Sequence, residues 1–488
     1  MNSKINNYLA YFFICVGICL ATFQFAYNRS LWLDEAMLSL NIINKGFFDL
    51  LKPLDYHQVS PIGFLFAEKI FVLLLGNSEY GLRAFPFICY LAAIPLVYFF
   101  SYVLSRDKTA SLLSVSMFSV SLSLINYASE VKQYMVDVLF ALAIPTAALS
   151  LDFKTARSLA MMVFIGSMGV FMSNISVVSL FVTATYLVFS EIQQKKNFKI
   201  LIVLLCWAAV FSGYWFAFIK GHPAKGAMVA YWNDFFLPMN PFSRDFYEFL
   251  YRSAWSVLGL LFKFYSFWKP LLLFALWAVL DMAIRRKWKP LLFLAGPVAV
   301  HLVLSGLKLY PFTERFLLYA MPLFILIGSF GTVRLFQIVK ARLPITPEII
   351  LFFPVLVIAL PLLSRFPVER EELKKSLKYM EERISGEDQV YVYYSSLMAF
   401  EYYRTTGRLK IRNPIIEGEE HKNRDNGYDY QLNALKGKVW LLFSHVSPSG
   451  RENNEETYML DYLLKNGGKL LDSQKFKGTS VYRIDTGK

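Results

Sequence analysis

Apolar residues fall in long runs along this chain, separated by short polar turns, and most runs have the length of a membrane crossing. A spanning helix needs about 20 mostly apolar residues. That criterion places spans at roughly 8–26, 81–104, 109–126, 133–150, 157–173, 175–190, 200–219, 265–284, 290–306, 316–333 and 348–364, about eleven in all. The turns "SRDK", "DFKTAR", "EIQQKKNFK", "IRRKWKP" and "RLFQIVKAR" are short and basic and alternate along the path. Lysine and arginine collect in cytoplasmic loops, so these turns share the inner side of the inner (plasma) membrane. The amino terminus is then expected inside and the carboxyl terminus outside.

One run departs from this parity. "PIGFLFAEKIFVLLLG", residues 61–76, carries Glu68 and Lys69 and is short for a span. If it crossed, every later basic turn would flip, so it is expected to lie along the outer interface as an amphipathic helix. Residues 220–264, with an aromatic loop at 228–251, and the short "KLYPFTERF" fall on the same outer side. From about Phe366 the pattern changes to a charged helical stretch "VEREELKKSLKYMEERI", strand-like "QVYVYY" and "KVWLLFSHV", a helix around "NNEETYMLDYLLKNGG" and a final strand "TSVYRID". These alternate as in a small α/β domain. The expected division is a polytopic α-helical membrane domain over 1–365 and an extracytoplasmic α/β domain over 366–488.

Composition supports this reading. Of 488 residues, 56% are hydrophobic and only 18% charged, too little polar surface for a soluble chain of this length. Much of the net charge of +14 sits in the basic turns, and no basic patch with interleaved stacking aromatics stands apart, so nucleic acid is not an expected partner. The four cysteines lie in apolar runs, without metal-type spacing. The first run lacks the usual small-residue cleavage site and reads as a retained helix.

An enzyme acting at a membrane face on a lipid-linked phosphate needs a carboxylate to accept a proton, cations for a departing phosphate, and an apolar groove. The outer segments supply candidates. In "RSLWLDEAMLSL", Asp34 and Glu35 stand among apolar residues. Near the bilayer centre each charge would cost about 2.5–3.5 kcal/mol, but the topology puts both in the first outer loop, where they serve as catalytic candidates or as plain helix caps. In "NYASEVKQYMVD", helical spacing would bring Glu130, Tyr134 and Asp137 near one face with Lys132 to one side; a Glu–Lys brace is the plainer alternative. Arg83 and Arg315 stand at the outer ends of their spans, as phosphate ligands or as snorkelling side chains. His57 precedes the interfacial run and has the chemistry to bond a phosphate or a sugar hydroxyl. No P-loop, HExxH pair, GxSxG elbow or dinucleotide fingerprint is present.

The stretches "SLWLDEAMLSL", "HQVSPIGFLFAEKIFVLLLGNSEYGLRAFPFI", "YASEVKQYMVDVLFAL" and "YPFTERFLLYAMP" resemble the bacterial branch of glycosyltransferase family 39, which has the GT-C fold and includes protein O-mannosyltransferases and lipid A aminoarabinose transferases. The resemblance is strongest over residues 30–140, with a further match near 310–322. It implies transfer of a sugar from a polyprenyl phosphate carrier at the outer face, with inversion, to an acceptor on a protein, lipid or glycan. It assigns the catalytic base to Asp34, with Glu35 beside it. It sets Tyr127, Glu130, Lys132 and Tyr134 on a second outer motif, where Lys132 replaces the arginine of many relatives and so substitutes a point charge for a bidentate grip. Lys132, Arg83 or Arg315 would neutralise the departing lipid phosphate, and His57, Glu130, Tyr134 and Asp137 complete the expected binding set. Cations in that role make a metal unnecessary, and no cofactor is expected. Aminoarabinose transferases carry a Glu-Lys pair before the proline ahead of the interfacial helix; Val59 and Ser60 stand here before Pro61, which argues against a shared donor. Two other classes fit many helices with outer carboxylates: a glycan polymerase or ligase using diphosphate-linked lipid, and a lipid or solute transporter.

Overall fold

A computed structural model of the protein describes residues 3–194, 199–262, 268–342, 348–421, 428–446 and 454–487. The apolar runs fold as helices, because a backbone that meets no water must satisfy its hydrogen bonds within one segment. In chain order these are α1 (Ser3–Tyr27), α2 (Leu33–Asn44), α3 (Ile62–Leu75), α4 (Glu79–Ser105), α5 (Lys108–Ser119), α6 (Leu122–Tyr127), α7 (Tyr134–Ser150) and α8 (Ala156–Met172). They continue with α9 (Ser176–Gln194), α10 (Lys199–Tyr214), α11 (Lys225–Tyr231), α12 (Arg244–Phe262), α13 (Trp268–Ile284), α14 (Trp288–Gly306), α15 (Met321–Arg342) and α16 (Glu348–Arg365). Every run marked as a span falls on one or two of these helices. The start of the run at 265 and part of the basic turn "EIQQKKNFK" lie outside the described residues.

Among the described residues, Ile5–Tyr27, Glu79–Ser105, Lys199–Ile219, Trp288–Gly306 and Glu314–Arg342 are long and apolar enough to cross a membrane by themselves. Two runs are less regular than their hydropathy suggests. The run 109–126 breaks between α5 and α6, where Ser114 and Ser116 bond back to the carbonyls of Ala110 and Leu112, at 2.8 Å each. Such back-bonding competes with the helix ladder and bends it. The run 200–219 ends in a π turn over Trp215–Ile219, a local widening that often marks a functional segment. Helix α12 was not expected: the aromatic outer region was read as loop, yet its second half forms a 19-residue helix. Its apolar residues recur at helical spacing but are interrupted by charge, which hides them from a search for continuous runs.

The chain divides into two compact units, one formed by Met1–Ala26, Phe47–Phe71 and Arg83–Pro367, the other by Tyr27–Gly46, Val72–Leu82 and Val368–Lys488. In the second, β1 (Gln389–Val392), β2 (Ile415–Glu417), β3 (Lys438–Ser444), β4 (Lys469–Phe476) and β5 (Thr479–Asp485) make one sheet in the order β2-β1-β3-β5-β4. β1 is parallel to β2 and β3, while β5 is antiparallel to β3 and β4. Central β3, "KVWLLFS", is buried from Val439 onward, and a continuous apolar run is what a strand covered on both faces requires. β4, "KLLDSQKF", is a largely exposed edge strand whose polar pattern gave no strand signal. Helices α17 (Leu373–Glu381), α18 (Leu397–Thr405), α19 (Asp429–Asn433) and α20 (Glu455–Lys465) complete this unit. It also takes in α2, which packs on α18. The Leu31 backbone N–H just before α2 donates to the Tyr403 hydroxyl at 3.0 Å, so the loop entering α2 is fixed to a helix about 370 residues further on.

Asp388, at the foot of β1, is fully buried and accepts from Arg483 at 2.9 Å and from the Trp440 indole at 3.1 Å. Burial alone would raise its carboxyl, but the bonds from Arg483 and Ser385 overcome it and hold the group below the ordinary carboxylate range. A depressed folded-state pKa gives stability that is present above the unfolded value of about 3.9 and is lost as pH falls through the folded value. Asp388→Asn should therefore cost about 1–3 kcal/mol at neutral pH and show a smaller further loss on acidification than the parent protein. Hydrogen exchange of the β1, β3 and β5 amides in the whole chain reads both effects.

Candidate functional site

In the first unit the chemistry gathers at the turn between α6 and α7. The expected single helical face is not formed: Glu130 and Lys132 lie in the turn, and only Tyr134 and Asp137 share a helix, in the first turn of α7. The chain reverses tightly here, with the Lys132 N–H donating to the Glu130 carbonyl at 2.7 Å, because a helix continued through 128–133 could not bring both charges inward. Glu130 and Asp137 are buried, and Lys132 is only 8% exposed. The Lys132 ammonium donates to the Gln58 side-chain carbonyl at 2.7 Å, and Ser60 donates to Gln133 at 3.4 Å, so the loop before α3 is pinned to this turn. Ser173 bonds the Asp137 carboxylate, whose Oδ1 has no partner among the described residues. Tyr127 and Tyr134 close the turn edge to face, with centroids 5.4 Å apart.

Arg315 stands half-buried in the 3₁₀ segment Glu314–Ala320, which packs on α7. The structure therefore gathers Lys132, Tyr134, Asp137 and the Arg315 segment. The outer aromatic region covers the same place: the Phe312 N–H donates to the Phe235 carbonyl at 2.8 Å, and Trp232 meets Phe316 edge to face. Arg83 lies buried in α4. His57 is exposed, in a left-handed turn with φ +52°, and its neighbour Gln58 is the residue of this loop that meets Lys132.

Gln58 also lines a cavity of about 260 Å³. Its lining combines apolar Leu50, Leu65, Phe216, Phe218 and Ile219 with polar Gln58, Ser60, Asn174, Tyr214 and His222. The π turn supplies Phe216, Phe218 and Ile219. Burial pulls the His222 imidazole below its ordinary value, so it is neutral at pH 7 and accepts the Ala224 N–H at 3.3 Å. A largely apolar lining beside a lysine suits an amphiphile with an anionic head.

In the second unit Asp34 and Glu35 occupy the first turn of α2, where carboxylates complement the helix dipole. Their environments differ. Glu35 is fully buried and paired with the equally buried Arg29 at 2.6 Å, whereas Asp34 is half-buried. The loop entering α2 is held by Lys374, which bonds the Asn28 carbonyl and Glu79 and takes Ser30 Oγ on its own N–H at 3.1 Å. Arg370 lies over the Trp32 ring, 4.6 Å from its centroid. Glu79 is held by Arg408 as well. Asp34 thus rides on a helix start that is braced on several sides.

Neither a family model nor a curated protein matches the sequence. Among solved structures, ArnT from Cupriavidus metallidurans in the apo state matches with a TM-score of 0.54 at 10% identity, covering 99% of this chain and 98% of that one. The same protein bound to undecaprenyl phosphate matches with a TM-score of 0.53, also at 10% identity, over 97% of each chain. The chain has the GT-C fold of a polytopic helical membrane protein, with a small carboxy-terminal sheet unit.

Within this GT-C frame the sequence missed Gln58, Ser60, Asn174, Tyr214 and His222. Each is a common polar residue to which no role was assigned, and only the fold brings the loop before α3, the start of α9 and the end of α10 around one cavity. The pairing of Glu35 with Arg29, six residues earlier in the same segment, was not expected from the sequence. Arg29→Met alone should cost about 3–5 kcal/mol by leaving a buried carboxylate uncompensated, while Arg29→Met with Glu35→Leu should recover most of the loss. Thermal unfolding of detergent-purified protein checks this; equal losses in single and double variants would contradict it.

Proposed function

We propose that the protein is a membrane glycosyltransferase that moves a sugar from a polyprenyl phosphate carrier to an acceptor hydroxyl, inverting the anomeric carbon, with Asp34 as general base. The observation that carries this reading is the Lys132–Gln58 contact at a cavity whose lining is largely apolar. Each further CH₂ of a prenyl chain buried there contributes about 0.8 kcal/mol. The GT-C fold across nearly the whole chain, shared with a protein solved with undecaprenyl phosphate, supports the same carrier chemistry.

The steps follow from charge. The acceptor hydroxyl gives its proton to the Asp34 carboxylate as its oxygen attacks C1 from the face opposite the phosphate. The bond from C1 to the phosphate oxygen breaks, and polyprenyl phosphate leaves. A phosphodiester with one negative charge becomes a monoester approaching two, so Lys132 binds the transition state more strongly than the donor, and only such differential binding raises kcat. Arg83 and Arg315 are the further cations for this oxygen cluster. Tyr134, Glu130, Asp137 and His57 set its hydrogen bonding. Glu35 then acts through Arg29, fixing the helix start that carries the base. The residues before Pro61 are Val59 and Ser60, so the sugar need not be aminoarabinose.

Purified protein in nanodiscs, given polyprenyl-monophosphate hexoses and pentoses and, in parallel, diphosphate-linked ones, should turn over only the monophosphates. Asp34→Asn should lower turnover by about 10²-fold or more while leaving carrier binding intact. Lys132→Met should lower kcat by about 10²–10³-fold. Turnover of the diphosphates alone, or full activity in Asp34→Asn, would overturn the reading.

A further inference from the structure

A second cavity of the first unit, about 560 Å³, lies elsewhere, where the turn between α4 and α5, the turn between α13 and α14, and α15 converge. Six cations line it: Arg106, Arg285, Arg286, Lys287, Lys289 and Arg334, against two carboxylates, Asp107 and Asp281, a formal excess of four positive charges. Both carboxylates are engaged. Asp107 caps α5, accepting from the Thr109 and Ala110 N–H groups at 2.8 and 3.2 Å. Asp281 bridges Arg334 at 3.3 Å and Arg285 at 3.5 Å. Arg106, Arg286, Lys287 and Lys289 have no carboxylate partner among the described residues.

The positive-inside rule accounts for basic loops, but not for two turns and a helix, distant in sequence, lining one concavity. The wall is also amphiphilic. Trp277, Ala278 and Phe330 share the lining with the cations, as does exposed Trp288. A Cβ at Gly331 would come within 2.8 Å of the Ala278 Cβ, so glycine lets α13 and α15 approach closely at this wall. Like charges held together repel unless an anion sits among them, and arginine forks match phosphate oxygens. We propose that this cavity is a phosphate-binding site for the headgroup of an anionic phospholipid, separate from the sugar-transfer chemistry. Apolar rings beside the cations suit an attached acyl chain, which a free phosphate ion lacks. The turns "SRDK" and "IRRKWKP" and the start of "RLFQIVKAR", through Arg334 and Gln337, line it, and these stretches are the ones the sequence is expected to place on one membrane side, where such lipid sites belong.

The full-length protein, reconstituted in phosphatidylcholine nanodiscs with and without phosphatidylglycerol, tests this by native mass spectrometry after release into detergent, with inorganic phosphate in phosphatidylcholine alone as a second arm. The parent should retain phosphatidylglycerol, and Arg286→Gln with Lys287→Gln should bind it about tenfold or more weakly. Arg286→Lys with Lys287→Arg, which keeps the charge, should restore retention. Parent protein that binds inorganic phosphate but no phosphatidylglycerol would keep the phosphate site and overturn its lipid source. Equal retention by parent and charge-loss variant, at equal thermal stability, or binding of neither ligand, would overturn the proposal.

Discussion

A charge removed from water must meet a partner, and this constraint organises the protein more than any other. An isolated ion in an apolar interior costs many kcal/mol, so the chain buries charge only where another group answers it. Arg29 answers Glu35, Lys374 and Arg408 answer Glu79, and Arg483 answers Asp388. Each pair joins segments that the sequence keeps apart or fixes the start of an element. Arg29 and Glu35 set the loop into α2, while the partners of Glu79 come from the region of the sheet. Removing water thus turns charges into architecture.

The same constraint separates Asp34 from Glu35. Adjacent carboxylates on one helical turn point in different directions, since neighbours are about 100° apart around the axis. One is inside with an arginine and fixes the helix start; the other is half-buried at the same turn. Lys132 belongs to an intermediate case. It is nearly buried, and its ammonium donates to the neutral Gln58 amide, which orients it within the turn.

Much of this was legible in the sequence. Long apolar runs state their own structure, because lipid admits only helices or closed barrels, and the basic turns between them are the marks of orientation. β1, β3, β5, α17 and α20 followed from their periodicity. What escaped was whatever depends on company. Helix α12 alternates charge with aromatic residues and shows no continuous run. β4 is a polar edge strand that exists because β5 offers it hydrogen bonds. Residues 127–134 carry helical spacing, yet the turn there is dictated by the need to fold Glu130 and Lys132 inward. His57 was the conspicuous residue of its loop, and Gln58 the one that makes the contact, since at a tight turn the residue after the left-handed pair points back toward the protein. Nor does composition reveal that α2 joins the carboxy-terminal sheet unit; that follows from a single tyrosine hydroxyl on the Leu31 amide and the packing of α18.

Glu68 shows the constraint from the other side. It sits on α3, fully buried, and neither carboxylate oxygen has a hydrogen-bond partner among the described residues. Burial drives its carboxyl well above the ordinary range, which favours the protonated, uncharged form in the interior. The same helix turns Ile70, Leu73, Leu74 and Leu75 outward. That is the reverse of a soluble amphipathic helix, whose polar side chains face water, and it fits a segment whose outer face meets lipid and whose inner face meets protein. An acid without a partner is tolerable inside only as a neutral group. The protein therefore meets one electrostatic demand in two ways, by pairing charges where two segments must be joined and by withholding ionisation where no partner is supplied.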